Sequence, residues 1–308
     1  MDASIHSNTG LTVIVVFHNM EREAPRTLFT LSTEYQRGVC PEDYEVIAVD
    51  VGSSTPLNEG FVKSFGENFR LVRSPAAPSP VMAVNRAAAL ARGAVIALCI
   101  DGARMLSPRI LRHILDAFKI YNNPVVATLA YHLGPKIQNE SMLDGYNQAT
   151  EDVLLNTVDW RSDGYELFRI SSLAGSSQNG YFLPIAESNC IAVSKQAWAS
   201  LGGLHEGFVS PGGGLVNLDF YHEACLHLDP LVILLGEGTF HQFHGGVATN
   251  VPWEQHPRDA FNIEYTAIRG EAFAILEKNA IYLGGIPPQS LSVLQVSVIK
   301  ALDWQKKN

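Results

Sequence analysis

What most restricts this chain is an unbroken apolar, β-branched run from Leu11 to Phe17 (LTVIVVF). Runs of similar kind follow at Glu45 to Val49, Phe69 to Arg73, Ala94 to Ile100 and Val125 to Tyr131. Strands that are apolar at successive positions are covered on both faces, which is the habit of parallel sheets. Helical patterns lie between them: Glu23 to Tyr35 with Leu28, Leu31 and Tyr35 at helical spacing, Asn58 to Phe65, Pro80 to Arg92 and Pro108 to Tyr121. The third has proline in its first turn, and Gly93 stands where a left-handed cap would end it. Strand and helix thus alternate through Tyr131 with short connections. This order predicts an α/β fold, an open mostly parallel sheet with helices on both faces and right-handed crossovers.

Regularity lapses from Gly134 to Gly180, where polar residues, glycines and aromatics mix without period. That stretch is expected to run over one face of the sheet, with a short helix at Gln148 to Leu155. An excursion of this length is usually functional or mobile. Strands are expected again at Cys190 to Val193 and Leu231 to Leu235, and helices at Lys195 to Leu201 and Phe220 to Leu228. Residues 256–308 read as a helical C-terminal tail, with helices at Ala260 to Asn279 and Ser290 to Trp304 broken near Gly284 to Pro288.

Composition narrows the function. With 308 residues, 46% of them hydrophobic, the chain sustains one large α/β domain, or one domain with a modest appendage. Its net charge of −9, without a Lys/Arg cluster, leaves no footprint for nucleic acid. Cys40, Cys99, Cys190 and Cys225 show no C-x-x-C spacing, so neither a zinc ribbon nor a redox dithiol is indicated, and a reducing compartment suits them. The start, MDASIHSNTG, lacks the basic and apolar regions of a signal peptide. No apolar run approaches the roughly 20 residues that span a bilayer. The expectation is a cytoplasmic protein with no integral membrane segment.

In open α/β sheets ligands bind beyond the carboxyl ends of the strands. Three polar clusters occupy those ends: Phe17-His18-Asn19, Asp50-Val51-Gly52-Ser53 and Asp101-Gly102-Ala103. An Asp after a strand often closes a turn or caps a helix. It also suits a base or ribose edge, or a divalent cation. One such cluster is ordinary, whereas three in order at successive strand ends point to a ligand. No G-x-G-x-x-G follows the first strand, which argues against a dinucleotide-binding dehydrogenase.

The runs LTVIVVFHN, EVIAVDVGSS and AVNRAAALARGAVIALCIDGARMLSP resemble the amino-terminal half of family 2 glycosyltransferases of the GT-A fold. ESNCIAVSKQAWASLGGLHEGF resembles that family's acceptor segment. GEGTFHQFHGG resembles the histidine-bearing strand end of its bacterial polysaccharide-type members. The resemblance implies that Asp50 recognises the nucleobase or ribose of a nucleoside diphosphate sugar, with Phe17, His18, Gly52 and Ser53 lining the pocket. It implies that Asn85 and Arg86 face the donor phosphates, although Arg86 reads equally as a surface residue of an Ala-rich helix. Asp101 matches the first acid of D-x-D, which holds Mn²⁺ or Mg²⁺ against the diphosphate. His244, or else His241, would stand in for the acid that Ala103 replaces, or Arg104 would supply part of the charge.

Val51 and Asn217 also occupy positions where the family carries acids. The general base then falls to Asp219 or Glu187, with Glu206 and Glu223 nearby, and Asp219 also reads as a helix cap. The implied function is transfer of a hexose, by inversion, to a carbohydrate acceptor hydroxyl. The runner-up is a non-catalytic nucleotide- or glycan-binding module of a polysaccharide assembly pathway. Residues 1–255 would form the transferase domain, with a nucleotide-binding half at about 10–131 and an acceptor half at about 132–255. Residues 256–308 would pack on it as an extension.

Overall fold

A computed structural model describes residues 10–307; the absence of a leader pattern falls on 1–9, outside the described residues. In chain order the first half contains β1 (Leu11–Phe17), α1 (Ala24–Leu31), β2 (Tyr44–Val51), α2 (Glu59–Lys63), β3 (Phe69–Ser74), α3 (Val81–Ala89), β4 (Val95–Cys99), β5 (Arg104–Leu106), α4 (Ile110–Ile120) and β6 (Val125–Leu133). Then follow α5 (Gln138–Ser141), α6 (Gln148–Leu155), β7 (Ser171–Leu173), β8 (Ile191–Ser194), α7 (Lys195–Ser200), α8 (Val216–His227), β9 (Leu231–His241), α9 (Arg258–Arg269), β10 (Ala280–Gly284) and α10 (Leu291–Gln305).

The strands form one sheet in the order β10-β9-β6-β8-β4-β1-β2-β3, with β5 added on β9 and β7 on β6. β4, β1, β2 and β3 run parallel, as do β6, β9 and β10. β8 is antiparallel to both β4 and β6 and joins the two parallel groups. This is the α/β architecture of the GT-A kind.

β1 explains the fully apolar runs. Ile14 and Val16 enter one apolar layer with Val81, Val84 and Ala87 of α3. Val13, Val15 and Phe17 enter the other layer with Leu28 and Leu31 of α1 and Leu111 and Ile114 of α4. Each face of the strand is dry, so no position is free to be polar. Thr12 is the exception, and its hydroxyl is consumed by Glu45 at 2.8 Å.

Three elements differ from the sequence expectation, each for a local reason. Gly93 is not a left-handed cap: α3 ends at Leu90 in right-handed geometry. Gly93 instead lies against β1, where a Cβ would come within 2.4 Å of the Gly10 carbonyl oxygen and 2.7 Å of the Thr12 nitrogen. The strand expected to end at Leu235 continues to His241, because Gly236 and Gly238 interrupt the apolar pattern without ending the ladder. In the tail, α9 stops at Arg269 on a left-handed Gly270, and Ala280–Gly284 pairs parallel with β9. The tail is therefore not wholly helical; one strand of the sheet comes from it. Among the described residues no helix is long and apolar enough to cross a membrane.

Substituting Gly93→Ala forces backbone rather than a flexible side chain to move. It should lower the unfolding free energy by about 1–3 kcal/mol, read as a reduced urea midpoint at unchanged slope.

Candidate functional site

The parallel register decides where the polar turns go. Phe17 lies opposite Asp50, and Val15 lies opposite Cys99, two residues before Asp101. The turns after β1, β2 and β4 therefore open at one carboxyl edge. The Gly102 N–H donates to the Val16 carbonyl at 2.6 Å, and a Cβ on Gly102 would lie 2.4 Å from the Phe17 ring. The Asp101 turn is thus pressed directly onto the end of β1.

The β2 turn is held by its own acid. Asp50 is buried, and its two oxygens accept from the backbone N–H groups of Ser53 (3.1 Å) and Leu57 (2.7 Å). Gly52 takes φ +59° and passes so close to Ala76 that no side chain fits. The exposed His18 sets Nδ1 2.7 Å from the Val51 carbonyl. Ser53 Oγ accepts from the Asn19 N–H at 2.9 Å, joining the first two turns. Phe17 is buried beneath them.

Asp101 is the centre of a second group. Its Oδ1 accepts from the Ala103 N–H at 2.9 Å. Its Oδ2 lies 2.9 Å from His241 Nε2, 3.7 Å from His244 Nε2 and 3.9 Å from Arg104 Nε. One ligand atom from each of Asp101, His241 and His244 falls within 4.8 Å of the others. Burial opposes ionisation of Asp101, but His244, His241 and Arg104 hold its carboxyl well below the usual range.

The tautomer of His241 follows from a chain of amides. Asn250 Oδ1 accepts three backbone N–H groups, from His244, Gly245 and Gly246, at 2.8–3.0 Å. Its Nδ2 therefore donates, to Gln138 Oε1 at 2.8 Å. Gln138 Nε2 donates to the His241 carbonyl at 2.9 Å. The His241 Nδ1 facing Gln138 Oε1 at 2.8 Å must then carry the proton. Burial pushes His241 down to about 4, so the ring is neutral near pH 7 and Nε2 bears a lone pair. That lone pair has no hydrogen-bond partner and is aimed at a carboxylate oxygen. A shared proton or a metal cation between these two atoms would satisfy both. An acceptor on the far N–H, here the Gln138 side-chain carbonyl oxygen, fixes the ring as in metal-binding histidines. The two imidazoles favour a first-row transition ion, Mn²⁺ among them, over Mg²⁺.

Arg104 stands beside this group. It is 5% exposed, and its Nε and Nη1 have no hydrogen-bond partner. Burial lowers its pKa, while Asp101 and Glu187 act to raise it, so both carboxylates lie within its field. Ala103, where the resemblance sets the second acid of D-x-D, is buried in the apolar layer, where a carboxylate would lack a partner.

Glu187 and Asn217 meet: Asn217 Nδ2 donates to Glu187 Oε2 at 2.5 Å and to the Ser188 carbonyl at 3.1 Å. Asp219 lies elsewhere. It is in the first turn of α8, not at its cap, and both its oxygens are taken by Arg269 of α9 at 2.6 and 2.7 Å. It lines a separate pocket of about 210 Å³ with Glu206, Glu223 and Arg269. Asn85 spends its amide on both backbone groups of Leu204, at 2.9 Å each. Arg86, its neighbour on α3, is exposed. The structure thus groups Asp101, His241, His244 and Arg104, with Glu187 acting on Arg104 through its charge, and the joined turns after β1 and β2 hold His18, Asp50, Gly52 and Ser53 over the buried Phe17. Asp219 belongs to neither.

Gln138, Asn250 and Arg104 do most to shape the group. The two amides carried no signal in the sequence, since lone Asn and Gln in an aperiodic stretch have no spacing to distinguish them. The excursion from Gly134 is drawn in by Arg22, which donates to Asp152 and the Gln148 carbonyl at 2.8 Å and to Glu151 at 3.2 Å.

Neither a scan against protein-family models nor a search of curated proteins finds a match. Solved structures do match. TarS 1–349 of S. aureus has a TM-score of 0.52 at 12% identity, with 97% of this chain and 73% of that chain covered. TarS 1–349 in complex with UDP-GlcNAc has a TM-score of 0.51 at 13% identity, covering 95% and 71%. A longer S. aureus TarS chain has a TM-score of 0.52 at 12% identity, and the match covers 76% of this chain but 36% of that one. At these identities the likeness establishes a shared fold.

Removing the partner of the buried Asp219 leaves a carboxylate without a counter-charge. Arg269→Ala should cost about 3 kcal/mol of stability, measured by denaturant titration.

Proposed function

We propose that this chain transfers a sugar from a nucleoside diphosphate sugar to a carbohydrate hydroxyl. The observation that carries the reading is the neutral His241, whose unpartnered Nε2 faces Asp101 beside His244 at the carboxyl edge of the sheet. The shared fold with a protein solved with UDP-GlcNAc supports it. The nucleotide lies across the turns after β1 and β2, with His18, Gly52 and Ser53 around the base and Asp50 holding the turn; Phe17, expected in the pocket, is fully buried and supports the turns from below. Asn85 braces α3, and Arg86 reaches the donor's phosphates from it.

A divalent cation on Asp101, His241 and His244 would supply counter-charge to the leaving diphosphate. Arg104 adds two buried N–H directions that no protein acceptor uses, so an anion placed there meets a fixed positive group that needs no reorganisation.

Glu187 is the general base in this reading, rather than Asp219, whose oxygens are both bound to Arg269. Asn217 fixes Glu187 through Oε2 and leaves Oε1 for the acceptor hydroxyl. A single base without a covalent intermediate corresponds to inversion. The 244–250 loop and the excursion from Gly134 border the site and limit entry of water. The domain division at about residue 255 and the cytoplasmic location belong to the same proposal; the four cysteines are all unpaired.

One observation favours the non-catalytic module. The acids expected at positions 51, 103 and 217 are absent, and Asp219 is committed to an ion pair. Calorimetry with UDP- and GDP-sugars, with and without Mn²⁺, combined with a product assay, separates the two: binding without turnover supports the module.

Two variants test the transferase reading. Asp101→Ala should abolish turnover, and wild-type rates in it would refute the assignment. Glu187→Gln should lower kcat by about 10²–10⁴-fold with the donor KM little changed. An unchanged kcat would remove Glu187 from the role.

A further inference from the structure

A second cleft, of about 780 Å³, lies outside the group around Asp101. One wall is Arg109, the residue before α4, with His113 and Lys119 on that helix, and the other is the end of β10 and the residues after it, Leu283 to Pro287. Glu237 and Tyr165 line it as well, and Arg37 stands near Tyr165, its guanidinium 5.7 Å from the ring centre. Glu237 precedes His241 by four residues on β9. Thr239 between them is fully buried, and Leu106, its partner on β5, covers the same stretch. The two places are therefore separated by about 13 Å of covered strand.

Three features make this cleft unusual in a chain of net charge −9. It gathers Arg37, Arg109, His113 and Lys119. Arg37 is already held in place by Asp163 at 3.2 Å, whereas Arg109 and Lys119 have no ion-pair partner among the described residues. The lining acid Asp116 is committed to Arg112 at 2.8 Å. Beneath them is a built polar floor. Glu237 is 1% exposed and accepts from the Tyr165 hydroxyl at 2.6 Å, from the Arg109 N–H at 3.1 Å and from the Ser107 hydroxyl.

We infer that this cleft binds an anionic ligand, a phosphate- or carboxylate-bearing group, between Arg109, Lys119 and Arg37. Such groups take charge-assisted hydrogen bonds from arginine and lysine. The inference is independent of the transferase reading.

Glu237 gives the binding a signature. Burial pushes its carboxyl up to about 7, against the hydrogen bonds from Ser107 and Tyr165 and the N–H of Arg109. The other charged or titratable groups facing it are His113 of α4 and the Arg109 guanidinium just before it, Tyr35 from the segment after α1, and Tyr181. An anion entering above Glu237 favours its protonated form, so binding takes up a proton and weakens as pH rises through about 7. His113 is lowered from its ordinary value by burial and adds charge only at more acid pH.

The test is ³¹P NMR titration of the full chain with inorganic phosphate and with a sugar phosphate, and saturation-transfer NMR with glucuronate as the carboxylate arm. The expected result is saturable binding of at least one probe, weakened about tenfold in Arg109→Ala/Lys119→Ala, and the stronger arm identifies the source. Both side chains are exposed, so this variant keeps the fold. Glu237→Gln should flatten the pH dependence of glucuronate binding around 7, the arm that isolates Glu237 because phosphates themselves ionise a second time in this range, and His113→Asn should leave that part in place. Asp101→Ala should leave binding unchanged. No saturable binding, equal binding in the double variant, or loss only in Asp101→Ala would each overturn the proposal, the last by moving the anion to the other site.

Discussion

The parallel ladder of β4, β1 and β2 is the constraint from which the remaining structure follows. Parallel pairing brings like ends together, so the polar residues after each strand meet at one edge instead of scattering. The cost of that arrangement is a central strand dry on both faces, which β1 meets with alternating Ile, Val and Phe side chains. Every later element is placed by this core. Gly102 sits against Phe17, and Gln242, following β9, donates to the Ala103 carbonyl at 2.8 Å. The end of β9 is thereby tied to the end of β4 although the two strands are far apart in the sheet order.

The group around Asp101 depends on neutral amides more than on charges. Asn250 gathers three backbone N–H groups and passes its own orientation to Gln138, which sets the proton of His241. Each step allows one orientation. The result is His241 Nε2 and an Asp101 oxygen held face to face at 2.9 Å, a geometry that a proton or a metal cation can bridge. Arg104 is close enough to contribute but makes no hydrogen bond to either.

The sequence was legible where periodicity spoke. β1 and α6 appear with the expected bounds, and the three polar turns fall at one sheet edge as their order implied. Reading failed where glycine serves two purposes. Gly93 looked like a helix stop but is a point of close approach, and Gly236 looked like a strand end but lies within an eleven-residue strand. Single residues were harder still. Asp219 and Glu187 were equivalent as letters, and only the arrival of Arg269 from a distant helix tells them apart. Asn85 matched a phosphate-facing position, yet its amide is consumed by Leu204. Such outcomes depend on partners 50 residues away for Asp219 and 119 for Asn85, which no local pattern encodes.

β9 carries Glu237 within its length and His241 at its end, and Gly236 and Gly238 bend it between its two sets of neighbours. Side chains alternate along a strand, so a slip of a single residue would turn both the glutamate and the histidine to the opposite side together. The two environments have separate chemistry but a common mechanical mount. A lineage that altered the length of this strand would have to rebuild both at once, so change is expected in the loops on either side and not in the span between them.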